Sequence, residues 1–367
     1  MTIIIFILVL IALIVVHEFG HFVVAKWSGM RVDEFGLGYP PKAWSRKIGE
    51  TEYTLNWLPF GGFVKIFGED PEPGEEHAPR SFGSKPKILQ ALVLVAGIGM
   101  NLLFAYLLIT LTLGLGTTRA LTDEEATRAP DAVLAVASAP ENSPGAVAGL
   151  RAGDYILSAT DGMQTYEGVS AAGFTAFMSE NVQEGEELSL QVRGTDGTER
   201  ALTALPSAGV IQSDPERVAL GIGLTSVGTI ATPWHMAPVE GAVLTWELTK
   251  QTAIALVQFF GGIFTLSADL SQVAGPVGIA GAVGDASDNG IASLMTITAL
   301  ISINLALINL LPIPALDGGR LLFVIIESIT RRPIKPSIAN AVNGIGFFAL
   351  IGLMLVVTAS DIFKIFS

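Results

Sequence analysis

The first apolar run constrains this chain more than any other feature. Between Thr2 and Ala25 the only strongly polar side chains are His17, Glu18 and His21. A stretch of that length suits a membrane helix, because about 20 apolar residues cross a bilayer. An ionisable group at membrane depth costs roughly 2.5–3.5 kcal/mol to insert, so three together ask for a function. They form His17-Glu18-Phe19-Gly20-His21, an H-E-x-x-H pattern. On a helix, positions i and i+4 lie one turn apart on one face, so His17 and His21 can hold one metal ion. Glu18 lies about 100° around the helix, near enough to act on a water at that metal, and this donor pattern favours Zn2+. A purely structural role would need buried partners for three polar groups in lipid.

Four stretches can span: about 2–25, 88–115, 292–311 and 338–359. With half the residues hydrophobic and 15% charged, the chain reads as a polytopic α-helical membrane protein carrying a soluble insert. A net charge of −13 argues against nucleic acid as a partner. No cysteine is present, so zinc cannot have thiolate ligands here and no disulfide can form. The opening run has neither a basic leader nor a small-residue cleavage site after it, so it is expected to be a span rather than a signal peptide.

Charge sets the orientation. The 26–87 loop carries nine basic residues, and Arg331, Arg332 and Lys335 lie between the last two spans. The 116–291 region holds 21 Asp or Glu against seven Lys or Arg. Basic loops stay cytoplasmic, which puts the acidic region and both termini outside a cell (inner) membrane.

Within the first loop, 51–58 and 63–67 alternate and are rich in β-formers, with Pro59-Phe60-Gly61-Gly62 between them and a Gly/Pro turn region, 35–41, before. The spacing predicts a membrane-associated β-hairpin over about 50–68. It would either offer an open edge to an extended substrate or simply pack beneath the helices. Residues 69–80 read as a solvated loop in which His77 is solvated. In the second span, Val95-Ala96-Gly97-Ile98-Gly99-Met100-Asn101 suits close helix packing, and Asn101 is read as helix–helix glue rather than a neighbour of the site.

Residues 117–232 read as an α+β insert. Ser143 to Gly162 gives a short helix ending at Gly149, a Gly153-Asp154 turn, a strand, and an Asp161-Gly162 turn, which resembles the core signature of PDZ domains. Residues 188–192 and 200–205 read as a later hairpin, and 219–223 as a β-turn or a glycine loop that caps a peptide C-terminus. Over 233–290, residues 239–270 suit an interfacial amphipathic helix on the outer surface, with His235 an interface residue, and 274–279 a tight re-entry.

The third span leads into Asn304, Asn309, Pro312, Pro314, Leu316, Asp317, Gly318, Gly319 and Arg320. Prolines free backbone carbonyls and glycines allow close approach. Asp317 alone could cap a helix or pair with Arg320. Together with the H-E-x-x-H pattern it reads as the third ligand of an open, catalytic zinc site. Asn309 and Asn304 lie at apolar depth, where an amide can hold substrate backbone or tie helices together.

Taken in order, His17-Glu18-Phe19-Gly20-His21, Gly61-Gly62-Phe63-Val64-Lys65, the PDZ-like insert, Gly275-Pro276-Val277-Gly278-Ile279 and Asn309-x-x-Pro-x-Pro-x-Leu-Asp317-Gly-Gly resemble the site-2 protease family of intramembrane zinc metalloproteases, in the bacterial regulator-of-sigma-E-protease-like branch with one PDZ domain. One departure is Ile98, where the family usually has proline. The resemblance implies a membrane domain in two halves, 1–116 and 291–367. It implies zinc on His17, His21 and Asp317, with Glu18 moving protons. It also implies substrate held by Asn309, Asn304 and the Gly61-Gly62-Phe63 edge. Implied partners are the lipid bilayer, single-pass transmembrane substrates of the anti-sigma-factor kind, and a peptide or substrate ectodomain at the PDZ-like domain. A membrane zinc protease that cuts outside the bilayer and a non-catalytic PDZ scaffold are the competing readings.

Overall fold

The computed structural model describes residues 2–69, 78–195, 197–211, 214, 216–265 and 274–366. His77 and most of its loop lie outside the described residues. The chain divides into two compact units, Met1–Gly114 with Pro233–Ser367, and Leu115–Thr232.

The first unit begins with α1 (Thr2–Trp27), β1 (Val32–Ile48), β2 (Thr51–Ile66) and α2 (Lys87–Leu115). On α2 the residues Val93, Gly97, Asn101, Ala105 and Ile109 recur every four positions and are buried. Leu103, Leu107 and Leu111 point outward. Lipid favours this arrangement, with small and polar residues against the neighbouring helix and leucines toward acyl chains. Gly20 permits the approach of α1 to α2, because a Cβ there would collide with the Ala96 carbonyl and lie 2.8 Å from Met100 Cγ.

The sheet between these helices differs from the expected hairpin. Residues 51–58 and 63–66 do not pair with each other. Residues 34–37 sit between them, with Phe35 opposite Val64 on one side and Tyr53 on the other, and Leu37 opposite Gly62 and Leu55. Residues 42–48 pair outside 51–56, from Lys42 opposite Asn56 to Ile48 opposite Thr51. The order is therefore 62–66, 32–37, 51–56, 42–48, and the tight turn is at Gly49-Glu50, where Gly49 has φ +64°. Gly61, at φ +108°, takes a backbone conformation that side-chain-bearing residues rarely adopt, and it separates the two halves of β2. The 35–41 stretch expected to be a turn region is instead largely strand. Alternation specifies a strand but not its partner. The sheet packs along α1: Phe22 meets Phe35 and Tyr53 at ring separations of 5.4 and 6.1 Å.

The second unit contains β3 (Thr117–Leu121), α3 (Asp123–Ala126), β4 (Val133–Ser138), α4 (Pro144–Val147), β5 (Tyr155–Thr160), β6 (Thr165–Tyr166), α5 (Ala171–Asn181), β7 (Leu188–Arg193), β8 (Glu199–Ala204) and β9 (Gly223–Ile230). The strands form one antiparallel sheet in the order β3-β9-β4-β5-β7-β8, with β6 beside β5. Leu134, Val136, Ile156, Leu188, Leu190 and Val192 pack against Phe174, Phe177 and Met178 of α5. Asp154 is buried in its turn, accepting from the Arg151 N–H at 2.8 Å and Arg200 Nη2 at 2.6 Å.

The first unit then resumes with α6 (Ala237–Phe264), α7 (Pro276–Asp288), α8 (Ile291–Leu310), α9 (Asp317–Thr330) and α10 (Pro336–Phe366). Among the described helices, α1, α2, α8 and Ser337–Phe363 of α10 are long and apolar enough to cross a membrane, which fits a polytopic helical membrane protein. The described part of α6 packs chiefly on α8 and touches α2. Gly241 abuts Thr110, and Leu248 joins the cluster of Ala105, Ile109, Ala299 and Ile303. The periodicity of a single helix does not reveal which neighbours it meets. Residues 276–279, expected in a re-entry turn, open α7, which packs on α1, α8 and α10. Its first turn is capped by a distant residue, Asp361, whose Oδ2 accepts from the Gly278 N–H at 2.8 Å.

Candidate metal centre

Helix α1 supplies His17 and His21 one turn apart, and α9 supplies Asp317 as its first residue. The segment before α9 is held tightly. Pro314 lies against Gly346 of α10, and the Ala315 N–H donates to Asn343 Oδ1 at 3.3 Å. A Cβ at Gly318 would strike the Leu310 and Leu311 carbonyls, and one at Gly319 the Ile313 carbonyl. Only glycine at both positions lets the helix turn back on the end of α8 immediately after the carboxylate.

The result is a three-atom cluster. Asp317 Oδ2 lies 3.0 Å from His17 Nε2 and 3.3 Å from His21 Nε2, and the two Nε2 atoms are 3.2 Å apart. Both histidines are buried. His21 Nδ1 lies 2.7 Å from the Val93 carbonyl oxygen, which can only accept, so Nδ1 carries the proton and Nε2 presents a lone pair. That lone pair faces Asp317 Oδ2, a buried oxygen with no hydrogen-bond partner among the described residues. Acceptors converging on one point fit a cation, and two imidazole nitrogens with one carboxylate oxygen are a zinc donor set that leaves a fourth position open. Arg320, the alternative partner for Asp317, donates from Nη1 to Glu69 Oε1 at 2.7 Å.

Glu18 is half-buried beside this cluster. A Cβ at Gly62 would lie 2.9 Å from Ile14 Cγ2 and 3.3 Å from Glu18 Cγ, so the 62–66 strand runs against the helix at the level of the site. Phe63 packs its ring over Gly36 and stacks on Tyr39 at 6.5 Å, leaving backbone rather than side chain at the strand edge. Across from its pairing with 34–37, this strand has no partner among the described residues. Asn304 donates from Nδ2 to the Leu300 carbonyl at 3.1 Å within its own helix. Asn309 is half-buried, and its side chain makes no hydrogen bond among the described residues.

Two residues of α2 that the sequence presents as packing residues, Gly97 and Asn101, lie at the site. A Cβ at Gly97 would collide with His21 Nε2 and lie 2.8 Å from His17 Cε1, so this glycine is the space in which the two rings sit. Asn101, expected as helix glue, directs its side-chain amide to His17 Nδ1 at 3.2 Å. Val93, Gly97 and Asn101 share one face of α2, and their four-residue spacing from the first to the last was the available signal.

Residues 5–353 match the profile of peptidase family M50. A Clostridium perfringens protein with a zinc metalloprotease name is 36% identical over 352 residues, covering 96% of this chain and 95% of its own. Zinc metalloprotease RasP of Geobacillus kaustophilus is 30% identical over 446 aligned positions, covering all of this chain and 98% of its own. The regulator of sigma-W protease RasP of Bacillus subtilis is 30% identical over 448, covering all of this chain and 99% of its own. The chain thus belongs to peptidase family M50, the site-2 protease family, and is a multi-pass membrane zinc metalloprotease.

Proposed function

We propose that this protein cuts transmembrane segments of single-pass membrane proteins inside the bilayer, with zinc held by His17, His21 and Asp317. The observation that carries the reading is depth. His17 lies ten residues, about 15 Å, along an apolar helix from its Trp27 end. An extended peptide edge, 62–64, runs beside it. A zinc ion supplies Lewis-acid polarisation of a peptide carbonyl and lowers the pKa of a water. The remaining work falls to the chain. Glu18 takes a proton from the attacking water and delivers it to the leaving amide nitrogen as the C–N bond breaks. The Gly61-Gly62-Phe63 edge pairs with substrate backbone, because a helical segment hides its carbonyls in its own hydrogen bonds and must be extended to be cut. Asn309, whose amide is free of intrahelical bonds, serves the substrate backbone or a developing oxyanion better than Asn304, whose Nδ2 is bonded to Leu300.

The basic charge of the 26–87 loop supports a centre toward the cytoplasmic side of a cell membrane, with 117–232 outside. That insert acts as a PDZ-like domain. A cavity of about 290 Å³ is lined by Phe174, Thr175 and Met178 of α5 and by Ala219, Gly221 and Leu224. The pairing of β3 with β9 stops at Ser226, so residues 223–225 leave an edge open on that side for an extended peptide of a substrate ectodomain. Substrates of the anti-sigma-factor kind fit the name of the Bacillus subtilis relative, a regulator of a sigma factor.

The test is cleavage of a single-pass reporter in proteoliposomes by wild type and Glu18→Gln, with the cut mapped by mass spectrometry. A cut within the membrane segment that Glu18→Gln abolishes while zinc stays bound is the expected result. A cut confined to residues outside the segment would favour a protease acting at the membrane surface, and undiminished cleavage by Glu18→Gln would remove Glu18 from the chemistry.

A further inference from the structure

We infer that Asn101 is a positioning residue for the metal centre: its side-chain oxygen accepts the Nδ1 proton of His17 and so holds the ring with Nε2 turned to the ion. The inference rests on the ligand assignment proposed above.

His21 shows what the site requires. Its ring is fixed because Nδ1 donates to the Val93 carbonyl at 2.7 Å. A ligating imidazole has its other nitrogen protonated, and that N–H needs an acceptor to set tautomer and ring orientation. His17 directs Nε2 to Asp317 Oδ2 at 3.0 Å and to His21 Nε2 at 3.2 Å, so Nε2 is its ligand atom and the proton belongs on Nδ1. The group at Nδ1 is the Asn101 amide, 3.2 Å away. Of the two amide atoms only Oδ1 accepts. That oxygen is buried and has no other partner among the described residues, and a half-turn about Cβ–Cγ exchanges it with the nitrogen.

Helix glue accounts for Asn101 less well. The bond joining it to α8 runs from Ser302 Oγ to the Asn101 backbone oxygen at 2.8 Å and does not use the amide. Asn101 is 0% exposed, so the amide has no solvent to turn to. Val93, Gly97 and Asn101 thus divide the support of both rings along one face of α2: a carbonyl for His21, a missing side chain for ring volume, and an amide oxygen for His17.

The experiment measures zinc affinity of the purified full chain by chelator competition, independent of proteolysis. Asn101→Leu, similar in size but without an acceptor, is expected to bind zinc about 10–100-fold more weakly, the usual effect of losing such a partner. Asn101→Asp restores an acceptor and is expected within a few-fold of wild type. Ser302→Ala, which removes only the helix-to-helix bond, leaves affinity unchanged. Should the leucine variant fail to fold, Asn101→Ala replaces it with the same expected loss. Wild-type affinity in the leucine or alanine variant overturns the inference. So does a loss that Asn101→Asp fails to restore while its metal-free unfolding midpoint matches wild type. His17→Ala and Asp317→Ala run alongside. If these retain tight zinc, the ligand assignment itself falls and the inference with it. If they lose zinc and the leucine variant does not, only the role of Asn101 is refuted.

Discussion

A single methyl group at residue 97 should disable the centre. In Gly97→Ala the new Cβ would stand 2.8 Å from His17 Cε1 and closer still to His21 Nε2. Ordinary carbon contact begins near 3.4 Å, so the His17 ring must retreat by about 0.6 Å and the His21 ring by more. Metal–ligand distances tolerate roughly 0.2 Å, so both donors would leave coordinating distance at once. The helix cannot absorb the change, because Gly20 already sits against the Ala96 carbonyl. Overpacking of this kind costs about 1–3 kcal/mol in a packed interior. Gly99→Ala is a matched control two residues away, where an added Cβ meets nothing within 4 Å. Its helix propensity gain of about 1 kcal/mol equals that of Gly97→Ala. The assay is zinc stoichiometry by elemental analysis after dialysis, with reporter cleavage measured on the same samples. Gly99→Ala should match wild type, and Gly97→Ala should lose zinc and cleavage together. Full zinc occupancy in Gly97→Ala would refute the argument that the glycine makes room for the rings.

Other perturbations separate binding from chemistry and fold. Gly62→Val forces a branched side chain against Ile14 and Glu18, so cleavage should fall at least tenfold while zinc stoichiometry holds, measured on the same reporter. Arg200→Met leaves the Asp154 carboxylate, 3% exposed, without its cation, and should destabilise the 115–232 unit by about 3 kcal/mol, at the low end for a broken buried pair because Arg200 is partly solvated. Hydrogen exchange of β5, β7 and β8 in the full chain reads this out. Glu50, in the Gly49-Glu50 turn, is bonded by Arg80 and Lys26, which hold its carboxyl down to about 2. Because the folded value is depressed, the contribution is fully present above the ordinary value of 4.5 and fades as pH falls toward 2. Amide protection around the turn should therefore persist at pH 5 and decline below about 4, whereas Glu50→Gln should remove that pH dependence.

The chemistry was more legible in the sequence than the scaffold around it. His17, Glu18 and His21 stand out because polar groups are costly in an apolar helix and because four residues make one turn. The four long apolar runs correspond closely to α1, α2, α8 and α10, since length and hydropathy alone set such helices. The sheet was less legible. Alternation over 51–58 and 63–66 marks strands, but the insertion of 32–37 between them depends on long-range pairing that no local pattern encodes. The packing of α6 on α8 and the capping of α7 by Asp361 are likewise contacts between distant segments. Gly97 and Asn101 looked like packing residues because small and amide side chains serve both purposes in membrane helices. Only their position against the two imidazoles distinguishes the uses.

X-ray absorption at the zinc edge of the purified protein tests the centre most directly, comparing wild type with Asp317→Ala. The account predicts one zinc per chain with two imidazole nitrogens at about 2.0–2.1 Å and a carboxylate oxygen at about 2.0–2.2 Å, and loss of that oxygen shell or of the metal in the variant. An unchanged zinc shell and full occupancy in Asp317→Ala would contradict it.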